Sequence, residues 1–381
     1  MTAWKERSFM KENDVKVLAM YLPQYHEVEE NSRFWGKGFT DWVSVKKATP
    51  LYEGHHQPEI PLNNNYYDLS RKESIKWQID LAKKYGVYGF GIYHYWFSDE
   101  KQLLTKPAKL ILENKDLDIP FFFAWDNASW RRTWSKFRGN AWAPMEDTAN
   151  KEEKKGPSIL IEYKLGGKAE WKHHFDYLLE YFRDERYIKV DGKPLFEIFN
   201  YSDDIYKMHQ YWDELAKENG FNGIYIVYKK SALYHLPEEC TNFCYEPQNS
   251  GWGAGWKLWS FKALSLLGLA GKNGPRKYSY DKVWKTIIKN AHSRQKPNEW
   301  HGAFVCYDDT PRRGKQGRVV TGSSPEKFGK YMRELLSIAK SQNKEFILLT
   351  AWNEWGEGAM LEPSENEKYG YLEAIKKAIE K

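Results

Sequence analysis

Residues Glu345 to Glu357 read EFILLTAWNEWGE, an apolar run that passes directly into aromatics, an amide and two carboxylates. Phe346, Ile347, Leu348 and Leu349 have the unbroken apolar character of a strand covered on both faces, as in a parallel sheet. Trp352, Asn353, Glu354, Trp355 and Glu357 are too polar and bulky to fill a core, so chemistry is expected at the C-terminal end of that strand. Two carboxylates three positions apart beside tryptophans suit work on a sugar. Cleavage of a glycosidic bond needs an acid and a base, and aromatic faces pack on the apolar faces of sugar rings. A Glu-x-x-Glu pair of solvated acids on an exposed turn is the plain alternative.

The same pattern recurs upstream. Val15 to Tyr25, VKVLAMYLPQY, is a strand whose polar, aromatic end holds Tyr21 and Tyr25. The long stretch to Leu69 shows no periodic element and reads as a functional loop carrying His26, Trp35, Asp41, Trp42, His55, His56 and Gln57. Ser70 is placed to cap the helix RKESIKWQIDLAKKYG, which Gly86 stops. Val87 to Trp96 forms the second strand, ending in His94, Tyr95 and Trp96, and Pro120 to Asn127 the third, ending in Trp125, Asp126 and Asn127. A helix from Pro107 to about Lys115 lies between them. Residues 128–166 read as a lid followed by solvated, charged surface.

Helices over Lys168 to Asp184 and Asp204 to Asn219 alternate with strands at Pro194 to Asn200 and Gly223 to Lys230. Asn242 to Asn249 is the sixth strand, ending in Tyr245 and Glu246. The apolar segment 256–271 is too short to cross a bilayer and suits a buried or interfacial helix, with peripheral membrane contact as one use. After a helix from Tyr280 to His292, GAFVCYDDTPRR supplies the seventh strand, Asp308, and a basic loop of Arg312, Arg313, Lys315 and Arg318. Ser324 and Pro325 open the next helix, and Tyr371 to Lys381 closes the chain as another.

Eight strand–helix alternations, the fifth helix weakest, specify an α/β fold: a single (β/α)8 barrel over residues 1–381 with long strand-to-helix loops. All the polar-aromatic strand ends then converge on one face. A doubly wound sheet lacks support, because no glycine fingerprint follows the first strand.

Composition narrows the partners. With 18 Trp, 26 Tyr and 19 Phe, the aromatic share of 17% suggests a stacking surface as well as a core. The net charge of +6 comes without long lysine blocks or a nucleic-acid motif, so no nucleic acid is expected. Cys240, Cys244 and Cys306 lack the spacing of a zinc site and read as reduced thiols; neither metal nor cofactor is expected. The opening residues contain no apolar core of signal-peptide length, which sets a cytoplasmic expectation.

YLPQYH at 21–26, FWGKGFTDW at 34–42, KATPLYEGHHQPEIP at 47–61, YHYWF at 93–97, WDNASWRRTW at 125–134 and AWNEWGEGAMLEP at 351–363 resemble, in order, the motifs of the WbsX family, also described as glycoside hydrolase family 99-like. The resemblance implies an enzyme of bacterial surface polysaccharides, such as O-antigen in lipopolysaccharide biosynthesis. Glycoside hydrolase family 99 carries a Glu-Trp-His-Glu motif after its last strand, which Glu354-Trp355-Gly356-Glu357 resembles. By that likeness Glu354 is the base acting on the sugar 2-hydroxyl, and Glu357 the acid/base at the glycosidic oxygen, in a retaining route through a 1,2-anhydro sugar. Gly356 stands where that family has histidine, and Ala128 where the WbsX pattern leads us to expect a glutamate.

Three functions compete. A retaining, endo-acting glycosidase needs an oligo- or polysaccharide substrate and the two glutamates. A glycosyltransferase adds a nucleotide-linked or lipid-linked sugar, whose phosphates Arg312, Arg313 and Arg318 suit. A catalytically inactive sugar-binding module keeps the aromatics without requiring Glu354 and Glu357.

Overall fold

The computed structural model describes residues 14–131, 159–253 and 274–380. Eight parallel strands close into a barrel: β1 (Lys16–Tyr21), β2 (Gly89–Ser98), β3 (Phe121–Trp125), β4 (Lys193–Ile198), β5 (Tyr225–Lys229), β6 (Thr241–Phe243), β7 (Glu299–Phe304) and β8 (Phe346–Thr350). Each pairs in register with its sequence neighbour, and Lys16 opposite Phe346 joins the last strand to the first. Every residue of β8 is buried, as its unbroken apolar sequence requires of a strand lined by side chains within and helices without.

The longer helices among the described residues are α1 (Glu29–Trp35), α2 (Asp41–Lys46), α3 (Lys72–Lys84), α4 (Lys106–Glu113), α5 (Lys168–Phe182), α6 (Asp203–Glu218), α7 (Tyr280–Ser293), α8 (Pro325–Ser341) and α9 (Gly370–Ile379), beside the four-residue helices Gln248–Gly251 and Thr310–Arg313. Their apolar stripes face the barrel; α6 buries Ile205, Met208, Trp212, Leu215 and Ala216, at helical spacing. Ser324 caps α8 by accepting the Lys327 N–H at 3.3 Å, with Pro325 at the first helical position. Gly86 (φ 82°) ends the segment carrying α3 in the left-handed conformation that glycine adopts without strain.

Four expectations are corrected. The stretch after β1 does contain helices, but α1 and α2 span under two turns each and are too short to display a period. Ser70 does not cap α3: Arg71 occupies that position, and the Ser70 N–H donates instead to Asp68 at 2.7 Å. No helix joins β5 to β6; the Tyr234 hydroxyl donates to the carbonyls of Phe199 and Lys229 and holds that short crossover as turns. Val15 and Val87 precede their strands by one and two residues, and β6 stops at Phe243. Segment 256–271 and most of the expected lid fall outside the described residues. Among the described residues no helix is long and apolar enough to cross a membrane.

Much of the aromatic surplus fills the layer between barrel and helices. Trp212 packs edge-on against Phe196 and His174, and Trp284 lies parallel to Tyr331 at 5.4 Å.

Candidate active site

A cavity of about 500 Å³ opens at the C-terminal ends of the strands. Every strand or the loop after it contributes: Gln24, Tyr93 and Tyr95, Asp126 and Trp130, Phe199, Lys229, Tyr245, then Tyr307, Arg312, Arg313 and Arg318, and finally Glu354 and Glu357. This is the face on which barrel loops gather catalytic groups.

Its floor is built by the turn after β8. Asn353–Glu354 pairs antiparallel with Ala359–Met360, with a single 3₁₀ turn, Trp355–Glu357, between them. The Asn353 side chain accepts the Leu22 N–H at 2.7 Å and donates to the Leu22 carbonyl at 3.0 Å, while the Tyr25 hydroxyl donates to the Asn353 carbonyl and accepts the Trp355 N–H. Behind them buried Glu362 accepts Tyr67 Oη, Trp355 Nε1 and Gln78 Nε2. These contacts fix the backbone from which the two glutamates project.

Arg312 bridges the carboxylates. Its Nη2 lies 2.6 Å from both Glu354 Oε1 and Asp41 Oδ2, and its Nη1 lies 3.1 Å from Glu357 Oε1. Asp41 opens α2, and Arg312 sits in the short helix Thr310–Arg313, so the first and seventh loops meet over the eighth. Burial raises the proton affinity of Glu354 well above the usual carboxylate range; Arg312 opposes this, and the charges of Glu357 and Asp41 reinforce it. Glu357 is partly exposed to the cleft. Its neighbour Gly356 is dictated by the clamp, since a Cβ there would lie 2.5 Å from Arg312 Nε.

On the opposite wall Asp126 is lifted to about 6, by desolvation that the charge of Lys229 partly offsets. Lys229 Nζ lies 4.8 Å from the Phe199 ring centre and 5.6 Å from that of Tyr245. The Tyr93 and Tyr245 hydroxyls are 2.7 Å apart.

The cleft thus gathers Glu354, Glu357, Tyr95, Asp126, Tyr245 and the three arginines from among the residues singled out in the sequence. Asp41 joins the clamp, and Tyr25 and Asn353 hold the floor from beneath; the remaining residues lie elsewhere. Side chains alternate along a strand; Tyr93 and Tyr95 therefore face the cleft, and His94 and Trp96 face α5. His94 Nε2 is 2.8 Å from His174 Nε2, Trp96 stacks on the His174 ring at 4.2 Å, and Trp125 Nε1 donates to the Trp96 carbonyl. Burial pushes His94 down to about 3, so it is neutral. Asn127 exchanges hydrogen bonds with the Asn200 backbone. The Tyr21 hydroxyl donates to Gln78, Trp352 packs on Phe90, and His26 and Trp35 are buried outside the cleft.

Asp308 accepts from Gln57 Nε2 and from His55 Nε2 at 2.7 Å, the latter set as donor because His55 Nδ1 accepts the Leu51 N–H; both residues line a separate cavity of about 730 Å³. Glu246 binds Ser250 through its N–H and hydroxyl, away from the cleft. Tyr93, Lys229, Trp252 and Arg276 line the cleft but were missed. A strict two-residue period through YHYWF groups Tyr93 with Tyr95 but does not say which face of the strand the pair takes, and the first polar residue after YIVY would have selected Lys229; nothing local marks Arg276.

Solved structures share this architecture. The chain aligns with a GH99 endo-alpha-mannosidase from Bacteroides thetaiotaomicron (TM-score 0.53, 15% identity, 95% of each chain covered). It also aligns with a glycoside hydrolase-like protein (TM-score 0.56, 12% identity, 96% of this chain and 94% of the other). These likenesses establish the (β/α)8 barrel. The uncharacterized protein WxcX of Xanthomonas campestris pv. campestris, in strains ATCC 33913 and B100, is 26% identical over 374 residues, covering 95% of this chain; the chain spans about half the length of these relatives, 49%. The pattern that defines the glycosyltransferase WbsX family matches residues 17–375, and the chain belongs to that family.

Proposed function

We propose that the protein is a retaining, endo-acting glycoside hydrolase of bacterial surface polysaccharides, with Glu354 and Glu357 as its catalytic residues. The observation that carries this reading is the Arg312-bridged pair on the floor of a saccharide-sized cleft. Burial raises the proton affinity of Glu354, against the opposing charge of Arg312 at 2.6 Å, and this makes it a stronger base than an exposed carboxylate. Glu354 takes the proton of the sugar 2-hydroxyl, and O2 displaces the leaving group at C1 as Glu357 protonates the glycosidic oxygen. Water then opens the 1,2-anhydro ring at C1, giving its proton to Glu357, and Glu354 returns its proton to O2. Two inversions at C1 give retention.

The family's description favours a second reading, transfer from an activated donor. Arg313 and Arg318 are the candidate phosphate ligands, since Arg312 already serves three carboxylates. Incubation with the polysaccharide of its own gene cluster, with and without nucleotide sugars, separates the two. Reducing ends released in water alone support hydrolysis; product formed only with donor overturns it.

A further inference from the structure

The wall opposite the glutamates carries two charges that sense each other without meeting. Trp125 and Tyr228 pack outward against His174 of α5 and His209 of α6, so the side chains that follow them, Asp126 after β3 and Lys229 at the end of β5, turn inward and line the cleft. The Lys229 charge partly offsets the desolvation of Asp126. Burial likewise lowers the proton affinity of Lys229, against the charges of Asp126, Glu197 and Glu357. Among the described residues, however, neither Lys229 Nζ nor the Asp126 carboxylate makes a hydrogen bond or an ion pair; Lys229 Nζ rests against the Phe199 and Tyr245 rings.

Their charges balance within this wall. Glu197 on β4 lies opposite Ala124 and Val227, one layer beneath Lys229, and both of its carboxyl oxygens are buried without a hydrogen bond. Burial raises its proton affinity well above the usual carboxylate range and Lys229 opposes this only in part, which favours the neutral acid. The cleft surface therefore presents one ammonium, which only donates, and one carboxylate, which only accepts. Beside them the Tyr95 hydroxyl accepts Gln24 Nε2 at 2.7 Å and keeps its own proton to donate. Of the Tyr93 and Tyr245 hydroxyls, 2.7 Å apart, one likewise keeps a proton to donate whichever way their bond runs.

Such a set complements neighbouring sugar hydroxyls, each of which donates and accepts at once, better than a charged substituent. A sugar carboxylate here would meet Asp126, a sugar ammonium would meet Lys229, and like charges brought together cost binding. We propose that Asp126 and Lys229, with the Tyr95 hydroxyl beside them, form a subsite that grips two adjacent free hydroxyls, so that the sugar residue held against this wall is neutral and unsubstituted there. This rests on the reading of the cleft as a saccharide site, and it names the substrate class. The Glu357 charge acts on Lys229 across the cleft, which sets that sugar residue beside the bond Glu357 is asked to protonate.

Calorimetric titration of the full chain tests it, with neutral trisaccharides of mannose, glucose and galactose and the trisaccharides of glucuronic acid and glucosamine as probes. At least one neutral probe is expected to bind about tenfold or more tightly than either charged one. Lys229→Met and Asp126→Asn, each close in size to the residue replaced, should each weaken that neutral probe by about tenfold or more, the loss of one charge-assisted hydrogen bond. Should one variant fail to fold, the other decides alone, because the two residues belong to different strand ends. A charged probe that binds as tightly as the neutral ones, no binding of any probe at millimolar concentration, or wild-type affinity in a folded variant overturns the proposal. Titration reads binding without cleavage, so a neutral preference that depends on Asp126 and Lys229, in a protein that releases no reducing ends, leaves the subsite standing while the hydrolase reading falls. Reducing ends released by both variants with wild-type affinity and rate do the reverse.

Discussion

Arg312 Nη2 lies 2.6 Å from Glu354 Oε1, joining residues 42 positions apart in the sequence into one buried ion pair. Removing the cation leaves Asp41 and Glu354 buried without it. Arg312→Leu is therefore expected to destabilise the fold by about 3–5 kcal/mol. Arg312→Lys retains the charge but loses the planar fork that reaches three carboxylates at once, so it should recover part of the stability and little of the turnover. Denaturant unfolding and turnover on the polysaccharide, measured for both variants, check this; a stable and active Arg312→Leu would remove the clamp from the site.

Gly356 is the second test of the clamp. A methyl group at this position would lie 2.5 Å from Arg312 Nε and 2.9 Å from its Cζ, and the guanidinium cannot swing aside without leaving its carboxylates. Gly356→Ala should cost about 1–3 kcal/mol of stability and lower turnover more than saccharide affinity. Wild-type kinetics in this variant would show that the arginine position is not needed.

The two glutamates are each asked to move a proton. Glu354→Gln and Glu357→Gln should lower turnover by about 10²–10⁴-fold while saccharide binding stays largely intact. Initial rates beside calorimetric affinities separate these effects, and near-normal turnover in either variant takes that residue out of the chemistry.

Buried Glu362 links the site to pH. Desolvation raises its carboxyl to about 7, against the hydrogen bonds it accepts. The folded state therefore binds this proton more tightly than the unfolded chain does. Its stabilising contribution is complete below about pH 4.5 and is lost as pH rises through about 7, at up to about 1.4 kcal/mol per pH unit. Glu362→Gln has no such titration, so the wild type should lose stability relative to the variant between pH 5 and pH 8. Thermal unfolding across that range provides the check: parallel curves would rule out a titrating Glu362.

The alternation of apolar strands with amphipathic helices is a local property of the sequence, and it determined the barrel and the end of it that carries chemistry. Glu354, Glu357, Asp126 and Tyr245 were legible for the same reason: each follows an apolar run in a polar, aromatic cluster. Which face a strand-end residue takes was not legible there. Tyr93 and His94 are neighbours of similar polarity, and only strand register against β3 and the position of α5 sends one to the cleft and the other to His174. Likewise Arg312 belongs to a basic loop in the sequence and becomes the partner of Asp41 and Glu354 in the fold, and Arg276 meets Arg318 across a small sheet that no local pattern announces. Periodicity is written along the chain. Charge partners are chosen across it, by the barrel closure that brings the first, seventh and eighth loops to one point.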